Sequence, residues 1–215
     1  MEGQPVRMIL SKRLLDLALA GLLAVLLAPL ILFLVGLVWA LDGRPVFYLS
    51  ERMKTPGESF WLVKFRTMRP DAADAGVTGA DKAGRITRTG AFLRRTRLDE
   101  LPQLWNILRG DMSFVGPRPP LRIYVQDYPE LYGPVLRTRP GVTGLATLAY
   151  HRHEARLLAA SRSAAETDAI YRRACVPRKA RLDLIYQARR SLWLDLWLMA
   201  CTVLPLPLHR GRRRR

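Results

Sequence analysis

From Leu17 to Leu41 the chain runs for 25 residues without a charged side chain. As a straight helix that run is about 37 Å long, enough to cross a hydrocarbon core of about 30 Å. It is too long for a secretory signal, and no small-residue cleavage site follows it. Pro29 lies near its middle, removing one backbone hydrogen bond and crowding the preceding turn, so a kink is predicted there. Each half, Leu17–Ala28 and Leu30–Leu41, is about 18 Å long, so a bent helix can enter a bilayer, turn near the midplane and leave on the same side. A kinked single span fits the same pattern, because proline is common in transmembrane helices. Arg7, Lys12 and Arg13 precede the run and 32 basic against 16 acidic residues follow it, two positive flanks that suit a hairpin. Pattern alone leaves hairpin and span both open.

Asp16 follows Arg13 and Lys12 by three and four residues, on one helical face. That spacing reads either as an ion pair at the membrane interface or as a solvated helix start. Near the other end, Leu192–Leu208 is mostly apolar but carries Asp195 and is broken by Pro205 and Pro207. Too interrupted to span, it predicts a helix in the headgroup layer, with His209, Arg210 and Arg212–Arg215 as a basic tail on anionic lipid. A disordered tail after a core helix is the plainer alternative.

Between these pieces the elements are short. Phe60–Phe65 is rich in aromatic and β-branched residues after Thr55-Pro56-Gly57, and predicts a strand following a turn. The small, polar stretch Pro70–Gly84 predicts a loop of the length often used as a lid. Leu101, Leu104, Trp105 and Leu108 recur at helical spacing with Gly110 behind them as a C-cap, predicting a short helix with one buried stripe and Pro102 in its first turn.

The charge narrows the chemistry. The 215 residues carry 35 Lys+Arg against 18 Asp+Glu, a net charge of +17, and 30 of the cations are arginine. The guanidinium fork fits phosphate oxygens, which makes phosphate compounds the leading partner class. Aromatic residues are too scattered for a nucleic-acid stacking platform, so no nucleic-acid partner is expected. Cys175 and Cys201 lack the spacing of a zinc site or a disulfide scaffold.

Asp99 and Glu100 stand at the start of the short helix, where an N-cap and a dipole-complementing acid are the ordinary reading. Yet they are adjacent and follow Arg94, Arg95 and Arg97. Two carboxylates among guanidinium groups can hold a divalent metal and attack phosphorus while the arginines neutralise its oxygens. Gly116-Pro117-Arg118-Pro119-Pro120 and Arg139-Pro140-Gly141-Val142-Thr143-Gly144 each stiffen the backbone around one arginine, suited to oriented phosphate binding or simply to exposed turns. His151 and His153 would share a face only on a strand and read as surface residues.

Five runs carry a further resemblance: Lys12-Arg13-Leu14-Leu15-Asp16, Lys64-Phe65-Arg66-Thr67-Met68, Leu98–Asn106, Gly110–Pro119 and Arg139–Gly144. In order and content they are similar to the bacterial sugar transferases, the monotopic phosphoglycosyl transferases that start glycan assembly on a polyprenyl-phosphate carrier. The resemblance extends from about Lys12 to Leu204 and is to the small, catalytic-core form. It implies a mainly α fold with a small β element, a re-entrant helix broken at Pro29 and amphipathic interfacial helices. The implied organisation is an N-terminal segment 1–11, a re-entrant helix 12–42 positioned by Lys12, Arg13 and Asp16, a catalytic domain 43–190, an interfacial helix 191–208 and a tail 209–215. It also implies the cytoplasmic face of the bacterial inner membrane, in contact with membrane lipid; a homodimer is left open.

The resemblance implies that Asp99 attacks the β-phosphate of a UDP-sugar, expelling UMP, and that polyprenyl phosphate then takes the phosphosugar from Asp99. Glu100 would assist, Asp99 and Glu100 would share Mg²⁺, and Arg94, Arg118, Arg139, Lys64 and Arg66 would bind phosphate. Three departures stand out. Ala28 replaces the small polar residue often found before the re-entrant proline. Arg97 stands where many members have serine. Leu145–His151 replaces a stretch expected to bear on the sugar donor, with His151 or Arg152 as a stand-in for a missing arginine. Two other readings remain: a membrane-tethered basic protein that binds anions without chemistry, and a silent homologue partnering a larger transferase.

Overall fold

A computed structural model describes residues 10–71 and 80–204. The predicted break in the apolar run is there: α1 (Leu10–Leu26) and α2 (Ala28–Asp42) meet at 62°. Pro29 sits in the first turn of α2, where its missing N–H is tolerated, and Leu27 carries the turn with φ −94° and ψ 0°. Neighbouring backbone bonds survive, Leu27 N–H to Leu23 O at 2.9 Å and Ile31 N–H to Leu27 O at 2.8 Å. Among the described residues no single helix is long and apolar enough to cross a membrane; the bent pair passes that test together, as a broken span or a re-entrant loop.

The inner face of this pair rests on a hairpin. β1 (Phe47–Met53) and β2 (Ser59–Phe65) pair antiparallel around the Thr55-Pro56-Gly57 turn. Only β2 is visible in the sequence pattern, because β1 leaves Phe47, Tyr48 and Leu49 exposed and so lacks an apolar-in, polar-out alternation. Then come α3 (Arg88–Thr96) and α4 (Gln103–Arg109). Ala20 of α1 packs with Phe60, Leu62, Leu104, Ile107 and Met112, and Leu34 and Val38 of α2 pack with Phe65 and Leu93.

The two proline–arginine loops come together. β3 (Ser113–Val115) and β4 (Gly141–Thr143) form a parallel pair, so close that a β-carbon at Gly116 would lie 2.2 Å from the Arg139 carbonyl oxygen. The rest is helical: α5 (Arg122–Asp127), α6 (Pro129–Val135), α7 (Leu145–Ala159), α8 (Ala164–Ile170), α9 (Val176–Arg189) and α10 (Leu192–Val203). A π-turn, Tyr171–Cys175, joins α8 to α9, and its Tyr171 and Cys175 lie in the core formed by α5, α6, α7 and α9. The described fold is thus mainly α with small β elements.

Three expectations need correction. Lys12 and Asp16 form neither an ion pair with each other nor a solvated helix start; both are buried where α1 lies against α4 and β3. Lys12 Nζ donates to Asp195 Oδ2 at 2.6 Å, and Asp16 Oδ1 accepts from the Phe114 N–H at 3.2 Å. Arg13 caps the far end of α4, donating to the Ile107 and Leu108 carbonyls at 2.6 and 2.9 Å. Asp195 is therefore buried between Lys12 of α1 and Tyr186 of α9 rather than interrupting the apolar face of α10. Finally, the buried side of α4 is Gln103, Leu104, Asn106 and Ile107 rather than the expected stripe, with Trp105 exposed. Asn106 explains the rotation: its side chain bonds the Trp61 carbonyl (2.8 Å) and the Val63 N–H (3.0 Å), fastening α4 to β2. Pro205, Pro207, the basic tail and positions 72–79 of the predicted loop lie outside the described residues.

Candidate active site

Asp99 and Glu100 lie in a single 3₁₀ turn, Leu98–Glu100, between α3 and α4. Thr87 caps the start of α3 by accepting from the Gly90 N–H at 2.8 Å. Gly90 lets the helix touch the segment that follows β2, since a β-carbon there would sit 2.1 Å from the Thr67 carbonyl oxygen. At the far end Arg97 adopts a left-handed conformation (φ 59°, ψ 16°), alone in this among the described non-glycine residues. That conformation costs about 1–2 kcal/mol for a residue with a β-carbon. It turns the chain so that the next residues fold back toward β2, fastened by Leu98 and Leu101 against the Leu34–Val38–Phe65–Leu93 cluster. Asp99 is thus not the N-cap of α4, which starts after Pro102 without a side-chain cap.

The two carboxylates meet different surroundings. Glu100 Oε1 accepts from Lys64 Nζ at 3.0 Å and from Arg118 Nη1 at 3.5 Å. Burial opposes its charge, but Lys64 and Arg118 outweigh that and hold its carboxyl down at about 2. Asp99 goes the other way. Burial, seconded by the negative charge of Glu100, leaves its carboxyl above the usual aspartate range despite Lys64, Arg94 and Arg118. No group among the described residues donates a hydrogen bond to it. Lys64 is itself pushed down by burial and by Arg118. Arg94 is held beside the pair by its Nε bond to Thr67 Oγ1 at 2.8 Å, and Arg118 leaves 42 % of its side chain exposed.

Asp99, Glu100, Lys64, Arg94 and Arg118 are therefore brought together from four segments. Arg66 and Arg139 are not. The Arg66 guanidinium is buried against the end of α2, donating to the carbonyls of Asp42, Gly43 (2.9 Å) and Arg44 (3.1 Å). Arg139 points to the other side of α4, beside Arg13 and Gly110, and burial with the Arg13 charge lowers its pKa. Lys12, Arg13, Asp16 and Pro29 set the helix pair on α4 rather than lining the site. His151 and His153 lie on different faces of α7, with the His153 ring tilted against Tyr150 at 5.1 Å, and neither they nor Arg152 contact the carboxylate pair.

Arg52 is the residue that sequence pattern missed. It lines a small crevice with Lys64, Gln103, Arg118 and Pro119, donates to the Pro119 carbonyl at 3.3 Å, and is lowered to about 10 by burial and the Arg118 charge. The signal was the hairpin register: with Tyr48 opposite Lys64 and Arg52 opposite Phe60, the two-residue period puts Arg52 and Lys64 on one sheet face.

Among the described residues no three Asp, Glu, His or Cys side chains gather as a metal cage. Magnesium is commonly bound by one or two carboxylates together with substrate phosphates, and Asp99 with the free Oε2 of Glu100 matches that smaller donor set.

Comparison with known proteins adds an independent line. A family profile described as bacterial sugar transferase matches residues 7–207. An uncharacterised sugar transferase of Bacillus subtilis, EpsL, is 35 % identical over 89 % of this chain and 85 % of its own length. A UDP-glucose:undecaprenyl-phosphate glucose-1-phosphate transferase of Caulobacter vibrioides is 37 % identical over 90 % of this chain and 68 % of its own. One of the same name from Klebsiella pneumoniae is 35 % identical over 89 % of this chain, which spans only 39 % of that protein.

Proposed function

Because this chain belongs to the bacterial sugar transferase family, we propose that it transfers a sugar 1-phosphate from a UDP-sugar to polyprenyl phosphate through a phosphosugar bound to Asp99. The coarse activity, phosphoglycosyl transfer onto a polyprenyl-phosphate carrier, follows from membership and from the relatives' named reactions. The covalent step rests on one observation: two adjacent carboxylates, of which only Glu100 is neutralised. Lys64 and Arg118 hold Glu100 fixed and charged, whereas Asp99, in the same cationic setting, receives no hydrogen bond from the described residues. A carboxylate oxygen so placed can form a bond to the β-phosphorus while the bond to the UMP oxygen breaks and UMP departs. A phosphate oxygen of the acceptor then attacks the same phosphorus, restoring the Asp99 carboxylate. Lys64, Arg94 and Arg118 would neutralise the phosphate oxygens during both displacements. Mg²⁺ held by Asp99 and Glu100 would supply further neutralisation of the diphosphate.

The same reading puts the protein on the cytoplasmic face of the bacterial inner membrane, with the bent α1–α2 pair as a re-entrant hairpin. The exposed Leu22, Val25, Leu26, Leu32 and Phe33 of that pair, and Trp193 and Trp197 on α10, supply apolar and interfacial surface for lipid. The test is a panel of UDP-sugars with Mg²⁺ and polyprenyl phosphate in detergent. One donor should release UMP, and Asp99→Asn should abolish that release. Undiminished UMP release by Asp99→Asn would assign the nucleophile elsewhere.

A further inference from the structure

The inner side of the helix bend faces open space. Leu23 and Leu27, at the break between α1 and α2, wall a cavity of about 240 Å³ with Leu104 and Ile107 of α4 and Val203 at the end of α10. The cavity is open along one side, and its mostly apolar walls favour an apolar occupant over water. For scale, an apolar cavity of about 150 Å³ takes up benzene.

Its two ends differ in chemistry. One is at the bend, among the side chains of the apolar helix pair. The other is bounded by Glu100 and Arg97, the chain neighbours on either side of the Leu98-Asp99 pair. Glu100 already receives Lys64 and Arg118. The Arg97 side chain is exposed, makes no hydrogen bond or ion pair among the described residues, and is held at this corner by its left-handed backbone. An occupant matching both ends has a branched apolar body and one anionic head.

We propose that this cavity takes the first isoprene units of the polyprenyl phosphate acceptor, entering from the helix bend, and that Arg97 binds its terminal phosphate beside Asp99. The proposal rests on the function inferred above. It adds to that function a route by which a lipid phosphate reaches the carboxylate pair without its chain leaving apolar surroundings. It also gives a role to an arginine whose side chain makes no other bond among the described residues.

The experiment separates the two displacements in detergent micelles. UMP released from the UDP-sugar without acceptor reports the first, and KM for undecaprenyl phosphate reports the second. Leu27→Trp fills the cavity from the bend, and Val203→Trp does so from an exposed rim position that packing does not constrain. Each should raise KM for the acceptor by about tenfold, the equivalent of losing roughly two buried methylene contacts, with KM for the donor unchanged. Arg97→Ser should raise acceptor KM and reduce its dependence on salt, and Arg97→Lys should restore part of both. Farnesyl phosphate should compete with the acceptor in the wild type and lose that ability in Leu27→Trp, while farnesol should compete less than farnesyl phosphate in the wild type.

An acceptor KM unchanged in both tryptophan variants, in protein that still releases UMP, would overturn the cavity assignment and leave the transfer reaction standing. Absence of UMP release from the wild type would instead refute the covalent reading beneath it.

Discussion

Replacing Lys12 by Met removes the cation from the contact that ties the first described helix to the last. Lys12 Nζ lies 2.6 Å from Asp195 Oδ2, and the two side chains are 8 % and 3 % exposed. The other carboxylate oxygen accepts from the Tyr186 hydroxyl at 2.6 Å. In Lys12→Met the carboxylate stays buried with that single donor. Breaking a buried pair from one side costs about 3–5 kcal/mol, and the remaining Tyr186 bond sets the expectation at the lower end, about 3 kcal/mol. For a chain of this size that corresponds to a fall in Tm of roughly 6–12 °C. Thermal unfolding in one fixed detergent, followed by tryptophan fluorescence, reads it directly, since Trp193 and Trp197 share α10 with Asp195. The second half of the test is Asp195→Leu alone and with Lys12→Met. Replacing both charges by apolar groups is often neutral, so the double variant should recover most of the loss. A change in Lys12→Met within about 0.5 kcal/mol, the range of ordinary surface substitutions, would refute the claim that this pair holds the helices together. So would a double variant whose loss equals the sum of the single ones.

Three further outcomes follow from the packing. Burial pushes the Asp183 carboxyl up to about 7 from an ordinary 3.8, with Lys179 only partly opposing. The native state therefore binds that proton more tightly than the unfolded chain, and the stability it contributes in acid is lost as pH rises from about 4 through 7. Asp183→Asn should flatten that decline and stabilise the protein at pH 8 by as much as roughly 4 kcal/mol, measured as Tm against pH. Gly90→Ala places a β-carbon 2.1 Å from the Thr67 carbonyl oxygen, so α3 must lift from the segment around Thr67. The yield of folded protein and UMP release should fall together, with a destabilisation above about 4 kcal/mol. Arg66→Ala uncovers the carbonyls at the end of α2 and should cost about 1–3 kcal/mol in unfolding experiments, where a surface arginine would cost almost nothing.

What could be read from the chain, and what could not, divides along a physical line. The break at Pro29, the strand at Phe60–Phe65 and the glycine stop after α4 were legible because each rests on a local rule: a missing N–H, a β-branched run, a left-handed cap. The union of Asp99 and Glu100 with Arg94 was legible for the same reason, since these residues are neighbours in the chain. Two kinds of feature were not. Partners chosen across long separations were hidden: Lys12 has an acid four residues away yet bonds to one 183 residues away. Arg66 and Arg139 have the right chemistry for phosphate, but their positions depend on which carbonyls and cations the fold brings near them. Hidden too was the rotation of α4, because Asn106, a polar residue, is buried to bond the backbone of β2 while Trp105 faces out. Hydrophobic periodicity counts apolar residues and so reads that helix a step out of phase.

The proposed transfer depends above all on a bond between Asp99 and phosphorus. The direct measurement is the intact mass of the protein after brief exposure to its UDP-sugar and Mg²⁺ without acceptor, followed by peptide mapping. The expected result is a gain of one sugar phosphate on the peptide carrying Asp99, removed when polyprenyl phosphate is added and absent in Asp99→Asn. UMP release with no mass gain on the wild type, or the same gain in Asp99→Asn, would contradict it.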